Sequence, residues 1–146
     1  MLLSEHFTLA EFTESQTATR RGIDNTPDGA CIANMRTHTA PGLERARKLL
    51  KNPIFITSGF RSRALNRVIG GSPTSAHVNG MAVDFKCPGF GSPHEVAVRL
   101  ALSDIDFDQL IFEGRWVHMG FAYTARRQLL TANFAHGEVT YTQGIA

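Results

Sequence analysis

The period of the apolar positions changes along the chain. From Leu43 to Leu50 they fall at Leu43, Ala46, Leu49 and Leu50, the spacing of one helix face. In Ile54-Phe55-Ile56-Thr57, in Met81 to Phe85 and in Asp108 to Phe112 they come in short runs that suit buried strands. Trp116 to Phe121 alternates, with Trp116, His118 and Gly120 on one face and Val117, Met119 and Phe121 on the other.

Capping and breaking residues set the boundaries. Thr8-Leu9-Ala10-Glu11 has the form of a capping box, so a short helix should begin there and fade by Ser15. Gly22 to Gly29 reads as a loop. A longer helix is predicted from about Ala30 to Leu50, interrupted or kinked near Pro41-Gly42, with Pro53 ending the segment. Ser62 to Ile69 reads as a helix closed by Gly70-Gly71 as a left-handed cap. Pro93 suits a first helical turn, with Val96, Ala97, Leu100 and Ala101 as the stripe behind it. Asp108–Phe112 and Trp116–Phe121 should be strands joined across Glu113-Gly114-Arg115. Leu129–Phe134 and Glu138–Thr142 should form a last hairpin around His136-Gly137. Helices come mostly first and strands mostly last. The expected fold is therefore α+β, a largely antiparallel central sheet with helices packed mainly from the N-terminal half.

The chain has 146 residues, 42% of them hydrophobic and 19% charged, with a formal net charge of +2. These values suit an ordinary folded chain, and the charge is too small to point to nucleic acid. With no linker or repeat, residues 1–146 read as a single domain. Nothing approaches the length of a membrane span, and nothing suggests an obligate oligomer, so a monomer is expected. Met1 to Phe7 lacks the basic start and apolar run of a secretory signal, which leads to an expectation of synthesis in the cytoplasm. Cys31 and Cys87 form no CxxC pair and read as two free thiols, although Cys87 lies close enough to Asp84 in sequence to sit near a site there.

Three polar residues stand out against their surroundings. Asp84 lies within the apolar run Met81-Ala82-Val83-Asp84-Phe85, where a charge is costly unless it is paired or coordinated. His118 lies within an alternating strand. His77 precedes Asp84 by seven positions, across Gly80, in a segment that reads as a loop feeding a strand. Two imidazoles and a carboxylate, each isolated on a strand or its edge, suit a zinc site with one position left for water. The alternative for Asp84 is an ion pair with an arginine such as Arg61.

Ser75-x-His77-x-x-Gly80-x-Ala82-x-Asp84 followed by Trp116-x-His118 resembles the D-alanyl-D-alanine metallopeptidase family and its phage endolysin relatives. Thr57-Ser58-Gly59-Phe60-Arg61-Ser62 resembles that family's Ser-Gly-aromatic-Arg-Ser segment, and the likeness runs from about Phe7 to Phe121. The resemblance implies zinc held by His77, Asp84 and His118, with Arg61 binding or polarising substrate. It also implies Ser75 as a second substrate contact. Arg61 could equally order its own loop, and Ser75 could be a cap or turn serine. Many relatives carry a glutamate three residues before the last histidine. Here that residue is Arg115, which cannot act as a base, so the expected general base is Glu113, with Asp108 a further candidate. An exposed turn residue is the competing reading of Glu113. Trp116 is expected to pack beside the site, the alternative being a place along the substrate groove.

The implied activity is zinc-dependent hydrolysis of peptide bonds in bacterial peptidoglycan stem peptides or cross-links. An endopeptidase of the phage endolysin type is favoured over a D-alanyl-D-alanine carboxypeptidase or a zinc-holding wall-binding module without activity. Such an enzyme is expected to act on the cell wall, in the periplasm, after release.

Overall fold

The computed structural model describes residues 1–122 and 124–146. The capping box forms as the sequence predicts: the Thr8 side chain accepts from the Glu11 amide, the Glu11 carboxylate accepts from the Thr8 amide, and α1 spans Leu9–Thr13. A second short helix, α2 (Gln16–Arg21), follows it, with Ser15 as its cap and Ala18 as its buried residue. No apolar stripe in the sequence announces α2.

The long helical stretch is continuous in direction but changes its winding. It runs as α3 (Gly29–Asn34), a π segment (Met35–Thr39) and α4 (Ala40–Leu50). The predicted interruption thus occurs just before Pro41. A proline inside a helix cannot donate its i→i−4 bond and crowds the preceding turn. Wider winding ahead of it absorbs that misfit: the Ala40 amide bonds to the Met35 carbonyl, five residues back.

The remaining elements are β1 (Phe55–Ser58), α5 (Arg63–Ile69), β2 (Ala82–Lys86), α6 (Pro93–Ala101), β3 (Gln109–Phe112), β4 (Val117–Gly120), β5 (Gln128–Ala135) and β6 (Glu138–Gln143). Strand β1 begins one residue later than the apolar run suggests, because Ile54 is buried in the core ahead of the sheet. Gly70 closes α5 in the left-handed conformation, as expected. Helix α6 has its own capping box, Ser92 with Glu95. The β5–β6 turn is His136-Gly137, both residues at positive φ, which matches the right-handed twist of a hairpin.

The six strands form one sheet in the order β1-β2-β4-β3-β5-β6. Every neighbouring pair is antiparallel except β3 with β5. One face carries Val83, Phe85, Leu110, Val117 and Met119, all buried, into a core with Leu43, Ala46 and Leu50 of α4 and Val96, Ala97 and Leu100 of α6. Helix α6 thus shares the core face with the N-terminal helices. The other face is left to the polar residues of the alternating pattern. Both cysteines are free. Cys87 belongs to the core, its thiol directed at the Asn52 carbonyl, rather than to the polar face.

Helix α4 lies close to the end of β4. A Cβ built on Gly42 would clash with the ring of Phe121, so this helix position has no room for a side chain. Gly42→Ala is expected to destabilise the protein by about 1–3 kcal/mol, read from denaturant midpoints. Adding Phe121→Leu in the same chain should recover part of that loss.

Candidate metal and substrate site

Alternation along β2 sends Val83 and Phe85 to the core and Asp84 to the opposite face. Asp84 pairs with His118 across the β2–β4 ladder. Residues directly opposite on neighbouring strands share a face with close Cβ atoms. The Asp84 Oδ1 to His118 Nδ1 distance is 2.9 Å. His77 arrives from outside the sheet on a 3-10 turn, Ala76–Asn79, which Gly80 ends in the left-handed conformation. Its Nε2 lies 3.2 Å from the same Oδ1.

The second nitrogen of His77 fixes its role. Nδ1 lies 2.7 Å from the Gly59 carbonyl, an acceptor only, so Nδ1 carries the hydrogen and donates it. In a neutral imidazole Nε2 is then a bare lone pair. That lone pair faces a carboxylate oxygen, an arrangement that calls for a cation or a proton between them. The ligand atoms of His77, Asp84 and His118 lie within 4.8 Å of one another. His77 is 2% exposed and the other two are 9% exposed, so water screens the cluster poorly. A carbonyl orienting a ligating histidine through its other nitrogen is a common support for a metal site. The donor set fits a divalent metal with an open coordination position.

Electrostatics point the same way. Burial raises the Asp84 carboxyl, but hydrogen bonds and charge from His118 and His77 outweigh it and hold the group well below its ordinary range. Burial lowers His77, which favours the neutral, ligating form. The Asp84–Arg61 ion pair considered from sequence does not form: the Asp84 carboxylate faces the two histidines, and Arg61 acts on it only through its charge.

A groove of about 1160 Å³ opens over this face. Arg61, Ser75, Glu113 and Trp116 all line it beside the three donors. Burial pushes Glu113 up, the Asp84 charge adds to this, and His118 and Arg61 oppose it. Glu113 is therefore a half-buried carboxylate facing the site, not the exposed turn residue of the competing reading. Asp108 is engaged elsewhere: hydrogen bonds from Arg126 hold its carboxyl below the ordinary range, which makes it a weak base. The Ser75 hydroxyl accepts from the His77 amide, so it caps the turn while also reaching the groove wall.

Arg61 Nε and Trp116 Nε1 are buried without a hydrogen-bond partner among the described residues. Buried donors rarely stay unmatched. Two of them on the groove wall are suited to a polar ligand.

The supports of the site were not legible in the sequence. Asn25, in the predicted loop, donates to the Phe60 and Thr13 carbonyls and accepts from the Ser62 amide at 2.7 Å, clamping the segment that carries Arg61. The α3–α4 stretch holds the far side of the His77 turn. The Cys31 thiol, the Asn34 amide and the Thr39 hydroxyl donate in turn to the Val78, Asn79 and Gly80 carbonyls. A Cβ at Gly80 would crowd the Cys31 carbonyl and Met35, so this packing needs the glycine.

The family model described as Peptidase M15 matches residues 5–120 of the chain. No curated protein matches it.

Zinc at a hundredfold excess over its dissociation constant is expected to stabilise the protein by about 2.7 kcal/mol, read as a raised thermal midpoint that a chelator reverses. His118→Ala and Asp84→Ala should each abolish the shift. An unchanged wild-type midpoint, with no bound zinc by elemental analysis, would rule these residues out as a metal site. Asn25→Ala leaves the Ser62 amide and Phe60 carbonyl unmatched. It should cost about 1–3 kcal/mol in denaturant unfolding, without removing the zinc-induced shift.

Proposed function

The chain belongs to the Peptidase M15 family, and we propose that it is a zinc peptidase that hydrolyses peptide bonds in bacterial peptidoglycan, acting as an endopeptidase of the phage endolysin type. One observation carries this reading: His77, Asp84 and His118 converge their ligand atoms on the wall of a groove that Arg61 and Glu113 also enter.

The donor types favour zinc, which takes neutral imidazole and carboxylate oxygen together. When bound there, zinc supplies Lewis acidity for a carbonyl oxygen and acidifies water toward a pKa of about 7. The residues of the chain supply the rest. The Gly59 carbonyl holds the His77 Nδ1 hydrogen and keeps Nε2 turned to the donors. Glu113 takes a proton from the attacking water and passes it to the leaving amine. Its carboxyl is raised by burial, which moves its basicity toward the working pH. Arg61 meets the negative charge that develops on the carbonyl oxygen. Its partial burial strengthens that interaction, and its unmatched Nε is available for it. Ser75 offers its hydroxyl to the peptide from the groove wall.

The groove supports the choice of an endopeptidase. At about 1160 Å³ it exceeds what a terminal dipeptide fills, and it is bounded by α2 on one side and β6 on the other. An extended peptide can lie across it. Made in the cytoplasm, the enzyme would meet its substrate in the wall after release.

Mass spectrometry of muropeptides released from purified peptidoglycan tests the reading, with wild type compared against His77→Ala, each with and without chelator. New stem-peptide fragments should appear only with metal-loaded wild type, and their masses name the bond. Release of D-alanine alone would make the protein a carboxypeptidase. No fragments from folded, zinc-loaded protein on several wall chemotypes would leave a binding module. Glu113→Gln should keep its zinc and lower turnover by about 10²–10⁴-fold. Unchanged turnover in this variant would remove Glu113 as the base.

A further inference from the structure

The segment matched by the family ends at Gly120, but the groove continues onto the chain beyond it, where Arg126, Leu130 and Tyr141 line its wall. Arg126 and Arg127 are neighbours with opposite surroundings. Arg127 is built into the fold: its guanidinium donates to the Ala101, Ser103 and Ile105 carbonyls at the end of α6 and lies over the Phe107 ring. Its amide bonds to the Phe107 carbonyl. This anchor fixes the backbone beside Arg126, whose side chain is 57% exposed and turned to the groove.

Asp108 holds Arg126 along one edge. Nε donates to Oδ1 at 2.7 Å and Nη2 to Oδ2 at 3.0 Å. Asp108 is itself fixed on both sides, its amide bonding to the Gly120 carbonyl and its carbonyl accepting from the Gln128 amide. The guanidinium plane is thereby set, and the Nη1 edge is not used by Asp108. A planar fork of this kind suits a carboxylate.

The sheet register gives the spacing. Gln109 pairs with Gly120, two residues along β4 from His118. That is about 7 Å along the strands, and Asp108, which holds Arg126, lies one residue further along still. Gly120 has no side chain to block the path between His118 and Gln109. Glu113 lies past the other end of β3, about 14 Å from Gln109, so Arg126 and Glu113 stand at opposite ends of the groove with the three donors between them.

We propose that Arg126, held by Asp108, is a carboxylate subsite of the groove, and that the peptide substrate carries a free carboxylate on the Arg126 side of the bond that is cut. This rests on the peptidase reading and adds to it which peptides are accepted.

The test uses the zinc-loaded full chain, with Glu113→Gln to slow turnover. Synthetic stem peptides are titrated in pairs that differ only in one carboxylate replaced by its carboxamide. Binding is followed by calorimetry and by fluorescence of Trp116, the single tryptophan, on the groove wall. For one carboxylate, the free acid should bind about two- to fivefold tighter than the amide. Arg126→Gln should erase that preference, and Arg126→Lys should keep part of it, with unchanged thermal midpoints. Equal affinities in all pairs, a preference that survives Arg126→Gln, or no binding of any peptide would overturn the subsite. The muropeptide assay reports separately on the peptidase reading. An Arg126-dependent preference in a protein that releases no fragments would keep the subsite and discard the enzyme. Cleavage without such a preference would do the reverse.

Discussion

The rest of the structure depends on a single carboxylate placed where water solvates it poorly. Asp84 sits between Val83 and Phe85 on a central strand, and its charge is tolerated because two imidazoles face it. This ties sheet register to chemistry. A one-residue slip of β2 would turn Asp84 into the core among Leu43 and Val117 and turn Val83 into the groove. The pairing of Asp84 with His118 is thus enforced from both faces, by the cost of a buried charge on one side and of exposed apolar groups on the other.

The third donor does not come from the same ladder. His77 is delivered from above by a 3-10 turn with little internal strength. That turn is held by its neighbours: the Gly59 carbonyl on the ring, the Arg61 amide on the His77 carbonyl, and successive donors from the α3–α4 stretch. The wide winding ahead of Pro41 has a structural use here, since Thr39, its last residue, reaches the Gly80 carbonyl at 2.6 Å. Disrupting the winding would be felt at the histidine.

Local chemistry made much of this readable from sequence. The capping box at Thr8, the first-turn Pro93 and the Gly70 cap each act within one helical turn, and each marks the element that forms. The polar residues inside apolar strands led to Asp84 and His118 because burial of charge is a local anomaly. The misses share a different cause. Helix α2 buries only Ala18, so it leaves no periodic trace, and it is held by a cap and by its position between α1 and the groove. Asn25 looks like any loop asparagine, since its partners Thr13, Phe60 and Ser62 are distant in sequence. The Asp108–Arg126 pair took Asp108 out of consideration as a base, and only the three-dimensional fold brings those two together.

The two free thiols carry a consequence for where such a fold can work. The Cys31 thiol is pushed up to about 11, by burial first and then by Asp28, and Cys87 is raised by burial in the core. A thiol that stays protonated at neutral pH is a poor partner for oxidants and for disulfide exchange. The architecture gets its cohesion from packing, capping and a buried ionic cluster, none of which depends on oxidation state. The fold therefore needs no disulfide to hold it together.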